Sequence, residues 1–357
     1  YKYIKELLLN INNSDMSLKI IKPEVITHIY ELHKIHDILS YLDKQEILSL
    51  GLEKYLKICK PDIIFSQMSM GITCMLGYHA RKMNIASMLI SHGSHVRHVG
   101  NIVSLEHSNM AGNMLYGDYQ YLGIQTMLSY EYISSKQIPR QSIVKISPTI
   151  LIKNNTEKYI TDKLTILYAG TILSGTKSYL YETPDEHYES INDTVEILSK
   201  CKNIKLIIKF RQTNEFTYDS LKYLLNNLPE NVSIIDDGLL SENLAVSHLL
   251  MSFSSTTIEE ALINNTPVLL YGGKGRYSHI PKVTFNPRNK DDFLDTVTFI
   301  SNRKSLLEYF TVLNKNYKKF IEHKFDFDKY QLKGTTSVID WIAKNNYLNI
   351  LICLIYY

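Results

Sequence analysis

Four consecutive hydroxyl residues, Ser254, Ser255, Thr256 and Thr257, followed closely by two carboxylates, Glu259 and Glu260, form the stretch of this sequence best suited to chemistry. The hydroxyls close an apolar run, Leu249 to Phe253, and precede Ile258, Ala261 and Leu262 at helical spacing. That order predicts a buried strand, a polar turn and a helix N-terminus. Free N–H groups and the positive end of the helix dipole let such a turn hold a phosphate without a metal. Plain N-capping explains one or two hydroxyls, whereas four exceed what a cap needs. Carboxylates one turn inside the helix would repel a phosphate. Glu260 is therefore expected to accept from a ribose diol and Glu259 to complement the helix dipole.

Other candidates lie at the ends of predicted strands. Lys209 and Arg211 flank Phe210, so a strand places both cations on one face, where they could neutralise a diphosphate or simply be solvated. Gly170 and Thr171 end another run, and a glycine there lets a backbone approach a ligand, although an ordinary turn would use it too. Asp236, Asp237 and Gly238 could present backbone groups to a nucleobase or form a tight turn with a cap. In the first half, Ser91, His92, Gly93, Ser94 and His95 make a loop too polar for a core. His92 is placed to act as a general base or phosphate contact, or to serve a structural role. Histidines 92, 95, 98 and 107 have Glu106 as the one nearby carboxylate, and no metal is expected there.

The elements that must carry these groups follow from periodicity. Residues 1 to 60 read as mostly helical, and Ile63 to Phe65, a helix over 71–83 and Ala86 to Ile90 then form one α/β unit. Strand ends are expected at Met114 to Gly117 and a strand at Ser142 to Ile146. The second half alternates strands (164–168, 204–210, 232–235, 249–253, 268–271) with helices (185–200, 218–228, 239–246, 257–264), the pattern of a doubly wound sheet. Ligands of such sheets sit outside the carboxyl ends of the strands. A charged helical segment, 290–345, is expected to pack back across the junction. Boundaries are expected to divide the chain into 1–150, 151–330 and a tail, 331–357.

Composition excludes several classes. A net charge of +3 is too small to imply a nucleic-acid partner. The 4 cysteines are far apart and show no CxxC pairing, which suits a reducing cytosol better than a disulfide framework or zinc knuckle. The first residue is Tyr1, which suggests a missing start. The apolar tail from Tyr347 is about half the length of a membrane span, so a packed or membrane-grazing end is expected rather than an anchor.

These residues resemble the GT-B superfamily, in which two Rossmann-like α/β domains face a cleft that holds a nucleotide sugar. IEEALINNTPVLLYG is similar to the motif whose acidic residue binds the donor ribose, which carries to Glu260. SFSST is similar to the diphosphate loop, carrying to Ser254, Ser255 and Thr256. The order of SHG and then this serine motif resembles bacterial capsule and surface-polysaccharide transferases, which carries an acceptor-side role to His92 and Gly93, with Ser94 and His95 beside them. Phe210-Arg211-Gln212 stands where such families often have His-Pro, so Arg211 is the expected substitute.

The resemblance implies a metal-independent, cytoplasmic glycosyltransferase with a nucleotide-sugar donor, a glycan or glycolipid acceptor and no cofactor, with peripheral contact at the inner face of the membrane. A nucleotide-sugar 2-epimerase of the same fold and a GT-B scaffold that only binds are the alternatives.

Overall fold

Short apolar runs fenced by polar turns become the strands of two parallel sheets. The structure, a computed structural model, describes residues 35–90, 115, 117–134, 141–149, 151, 153, 162–171, 184–213, 216–252, 255–272, 280–289 and 291–353. The first half contains α1 (Ile35–Cys59), β1 (Ile63–Ser66), α2 (Ile72–Lys82), β2 (Ala86–Ile90), β3 (Tyr121–Ile124), α3 (Met127–Ser134) and β4 (Ser142–Lys145). Next come β5 (Leu164–Thr171), α4 (Pro184–Leu198), β6 (Ile204–Arg211), α5 (Tyr218–Leu225), β7 (Val232–Ile234) and α6 (Leu240–Ala245). The second half continues with β8 (Leu249–Ser252), α7 (Thr257–Ile263), β9 (Val268–Tyr271), β10 (Val283–Thr284) and β11 (Val297–Ile300). Helices α8 (Arg303–Lys315), α9 (Tyr317–Glu322) and α10 (Val338–Lys344) lead to β12 (Ile350–Cys353).

The first sheet has the order β12-β1-β2-β3-β4 and the second β10-β11-β9-β8-β5-β6-β7. Every strand pair is parallel. Parallel sheets are covered by helices on both faces, so their central strands tolerate apolar side chains throughout. Strands β1, β8 and β9 are accordingly buried at every position. Leu164, Ile166, Ile204, Leu206 and Met251 pack beneath α4 and α8, while Leu167, Leu250, Val268 and Leu270 face α7.

The expected strand end at Met114 to Gly117 is instead a strand at Tyr121–Ile124, and Leu115 is helical. Gly123 obscures that strand in the sequence. It sits in a crowded place, since a Cβ there would come within 3.0 Å of Ile146 Cδ1 and 3.1 Å of Met88 Sδ.

The last part of the chain returns to the first sheet. Ile350–Cys353 pairs with β1, and Asp62 accepts from the N–H groups of Leu348 and Asn349 at 2.9 and 2.8 Å. Trp341 of α10 packs on Ile63, Phe65, Met88, Ile90 and Ile146 and meets Tyr121 edge-on at 5.0 Å. No helix among the described residues is long and apolar enough to cross a membrane.

Removing this indole leaves a large void under the first sheet. Trp341→Ala is expected to cost about 3–5 kcal/mol in urea unfolding, whereas Leu348→Ala, at a side chain 90% exposed, should stay within roughly 0.5 kcal/mol. Equal effects would contradict the docking of α10 on the first sheet.

Candidate functional site

The second sheet changes direction beside its first strand. From β5 the chain winds one way through β6 and β7, then crosses to β8 on the other side and goes on to β9, beyond which β11 and then β10 complete the sheet. Such a reversal leaves a crevice at the carboxyl ends of the two strands that flank it. Those ends are Gly170-Thr171 on β5 and the segment after Ser252 on β8. The register sets Gly170 beside Phe210 and Thr171 beside Arg211, so the ends of β5 and β6 lie level.

Each predicted donor-side residue in the described structure lies along this rim. Lys209 and Arg211 occupy the same face of β6, the former half-buried and the latter exposed. Lys209 Nζ donates to the Asp237 carbonyl at 2.6 Å, tying the end of β6 to the next turn. That turn has Gly238 at φ 72°, the left-handed region that favours glycine. A Cβ there would stand 3.1 Å from Glu242 Oε2, which accepts the Leu239 N–H at 2.8 Å. The turn thus caps α6 and leaves Asp236 and Asp237 exposed.

In the hydroxyl run, Ser255 Oγ accepts from the Thr257 N–H at 3.3 Å, and the Thr256 carbonyl accepts from Glu259 and Glu260 at 3.1 and 3.2 Å. One hydroxyl therefore serves the turn itself, while Thr257 Oγ1 is buried without a partner. Glu260 is half-buried. Ser254 and the acceptor-side residues His92, Gly93, Ser94 and His95 lie outside the described residues, as do histidines 98 and 107 and Glu106. Among the described residues no group of three or more histidine, cysteine or acidic side chains could hold a metal ion.

Glu259 departs from its expected role. It is 2% exposed and neither carboxyl oxygen has a hydrogen-bond partner, so it is a buried group and not a surface partner of the helix dipole. Burial pushes its carboxyl up to about 7, and the Thr126 side chain opposes that shift only in part. Thr126 belongs to the first half. It follows β3, and its Oγ1 accepts the Ser129 N–H at 3.1 Å at the start of α3. Gln125 beside it accepts the Thr149 N–H at 2.6 Å. Sequence reasoning missed Gln125 and Thr126. The apolar run Tyr121 to Ile124, ended by two polar residues, was the available signal.

The sign of the pH effect follows from the direction of the shift. An unfolded glutamate ionises near 4.5 and the folded one near 7, so between these values the native state holds the extra proton. Stability from this group is then greatest below pH 4.5 and is lost as pH rises to about 7, by roughly 3 kcal/mol. Glu259→Gln removes the titration. The wild type should lose that much more stability than Glu259→Gln between pH 4.5 and 7.5 in urea unfolding, with parallel curves above pH 8. Parallel curves throughout would contradict a buried, proton-holding carboxyl.

No family model matches the sequence, and no curated protein sequence matches it. Solved structures do match in shape. A protein from Listeria monocytogenes described as a UDP-N-acetylglucosamine 2-epimerase aligns with a TM-score of 0.51 and 12% identity, over 78% of this chain and 72% of that one. The UDP-GlcNAc 2-epimerase of Methanocaldococcus jannaschii aligns with a TM-score of 0.50 and 13% identity, over 84% and 82%. The glycotransferase of kitacinnamycin reaches 0.47 at 12% identity over 81% and 77%, a likeness too distant to carry an argument. At these identities the likeness is one of fold. With its sheets of 5 and 7 parallel strands, the chain has the GT-B fold.

Proposed function

We propose that the chain is a glycosyltransferase that takes a sugar from a nucleotide donor held on the rim of the second sheet and passes it to a surface-glycan acceptor. The observation that carries this reading is the chain reversal between β5 and β8, which gathers Gly170, Thr171, Lys209, Arg211, Asp237, Gly238, Ser255, Thr256, Thr257 and Glu260 along one edge. Ser254 completes the hydroxyl run in the sequence.

On this reading Arg211 and the hydroxyl turn stabilise the leaving phosphate as negative charge develops on it. Lys209 braces the turn at 237–238, whose backbone meets the base, and Glu260 accepts from the ribose. His92, with Gly93, Ser94 and His95, belongs to the acceptor side and takes the proton of the attacking hydroxyl. No metal or resident cofactor enters the scheme. A glycolipid acceptor would bring the chain to the inner face of a membrane.

Epimerisation, named in the two structural neighbours given above, is the second reading. Inverting a ring carbon without an acceptor requires acids and bases around the sugar itself.

Thermal shift against UDP, GDP, CDP and CMP should show stabilisation by one nucleotide family, and no response to any would leave only a non-enzymatic scaffold. Glu260→Ala and Arg211→Ala should each weaken that nucleotide by roughly tenfold or more, the worth of a hydrogen bond to a charged group. Unchanged affinity in both would displace the donor from this rim. NMR of UDP-N-acetylglucosamine with the protein and no acceptor should show no 2-epimer; its appearance would replace transfer with epimerisation.

A further inference from the structure

Helix α1 carries apolar residues on two sides. Its inner side packs on α2: Leu52 and Leu56 join Leu76 and Ala80 in one cluster, Ser49 Oγ lies 2.8 Å from His79 Nε2, and Glu53 accepts from Lys57 and Lys82 at 2.8 and 3.2 Å. Its outer side carries Ile47, Leu50 and Ile58, which are 69%, 61% and 71% exposed. Among them stands Gly51, where an added Cβ would meet nothing within 4 Å. A glycine inside a helix lowers its stability relative to alanine, and no contact among the described residues requires one here.

The charges on this side follow an order about Leu50. Asp43 and Glu46 lie seven and four residues before it, and Lys54 and Lys57 lie four and seven residues after it. At helical spacing these five positions share one face. The order does not serve the single helix. Asp43 and Glu46 are like charges three residues apart, as are Lys54 and Lys57, and such pairs weaken a lone helix. The helix dipole acts within a turn of either end, so in a helix running from Ile35 to Cys59 it accounts for Lys57 but not for Asp43, Glu46 or Lys54.

Two copies of the helix laid antiparallel about Leu50 use the whole pattern. Asp43 of each copy then faces Lys57 of the other, and Glu46 faces Lys54. The two Leu50 side chains meet on the axis, and Ile47 covers Leu50 of the opposite helix where Gly51 leaves room for it. A parallel pair would instead set acids beside acids and lysines beside lysines. We propose that the outer face of α1 is the contact of a homodimer, formed by antiparallel pairing of this helix with its equivalent in a second copy about a two-fold axis at Leu50. Such a surface is self-complementary, as a two-fold contact must be. One helix pair lies at the small end of specific interfaces, so monomer and dimer should exchange at micromolar concentration. The proposal stands apart from the donor placement, because α1 contributes no residue to the rim of the second sheet.

Sedimentation equilibrium of the full chain from roughly 1 to 100 µM should show a reversible dimer. Leu50→Glu, which places like charges together on the axis, should weaken it by roughly thirtyfold or more. Glu46→Lys and Lys54→Glu should each weaken it by about tenfold or more, and an equimolar mixture of the two should recover the wild-type affinity to within about threefold, since every lysine at these positions then faces a glutamate. These charge variants keep the test available should Leu50→Glu fail to fold. A wild-type chain that stays monomeric at the highest concentration, a dimer that Leu50→Glu leaves intact, or a mixture no tighter than its components overturns the proposal. A monomeric chain that binds phosphatidylglycerol vesicles, and loses that binding with Leu50→Glu, also overturns it and gives the face to a membrane.

Discussion

A parallel strand buried on both faces has no room for charge along its length, and this constraint orders the rest of the molecule. Strands β8 and β9 are buried at every residue, and β6 carries Lys209 and Arg211 at its carboxyl end. Polar groups are thus driven to strand ends, and in a parallel sheet all the carboxyl ends share one edge. The reversal between β5 and β8 then opens that edge at one place. The proposed donor residues come together because burial leaves them no other position, although they are spread over about 90 residues of sequence.

The same constraint explains how much could be read in advance. Segments rich in apolar residues were legible: Leu249 to Phe253 contains β8, Val268 to Tyr271 is β9, and Ile204 to Phe210 matches β6 to within one residue. The alternation of Lys209, Phe210 and Arg211 correctly gave one face to both cations. Tyr121 to Ile124 was passed over because its glycine, packed closely against Ile146 and Met88, interrupts the apolar pattern. Glu259 and Glu260 are adjacent and chemically identical, yet one is buried and the other half-buried. Successive helical residues point about 100° apart, so one faces the interior and the other does not.

The junction between the halves mixes two kinds of contact. Apolar packing of Leu128 against α7 supplies attraction without fixing direction, while the buried, unpaired Glu259 carboxyl on the same helix is held at an energetic cost. The end of the chain adds a third tie. Gln331 bonds to α7, Thr336 bridges to Ile146, and β12 then joins the first sheet beside β1. The polypeptide therefore crosses between the halves twice, and each crossing brings an element to the neighbourhood of the junction.

Central to this view of the molecule is that a nucleotide lies on the rim of the second sheet. Hydrogen exchange of the wild type with and without saturating UDP tests it most directly, with the preferred nucleotide of the thermal-shift panel used in place of UDP if they differ. Slowed exchange is expected at 170–171, 209–211, 236–239 and 254–260, together and to a similar extent. Protection limited to the strand ends of the first sheet, with these four segments unchanged, would contradict it.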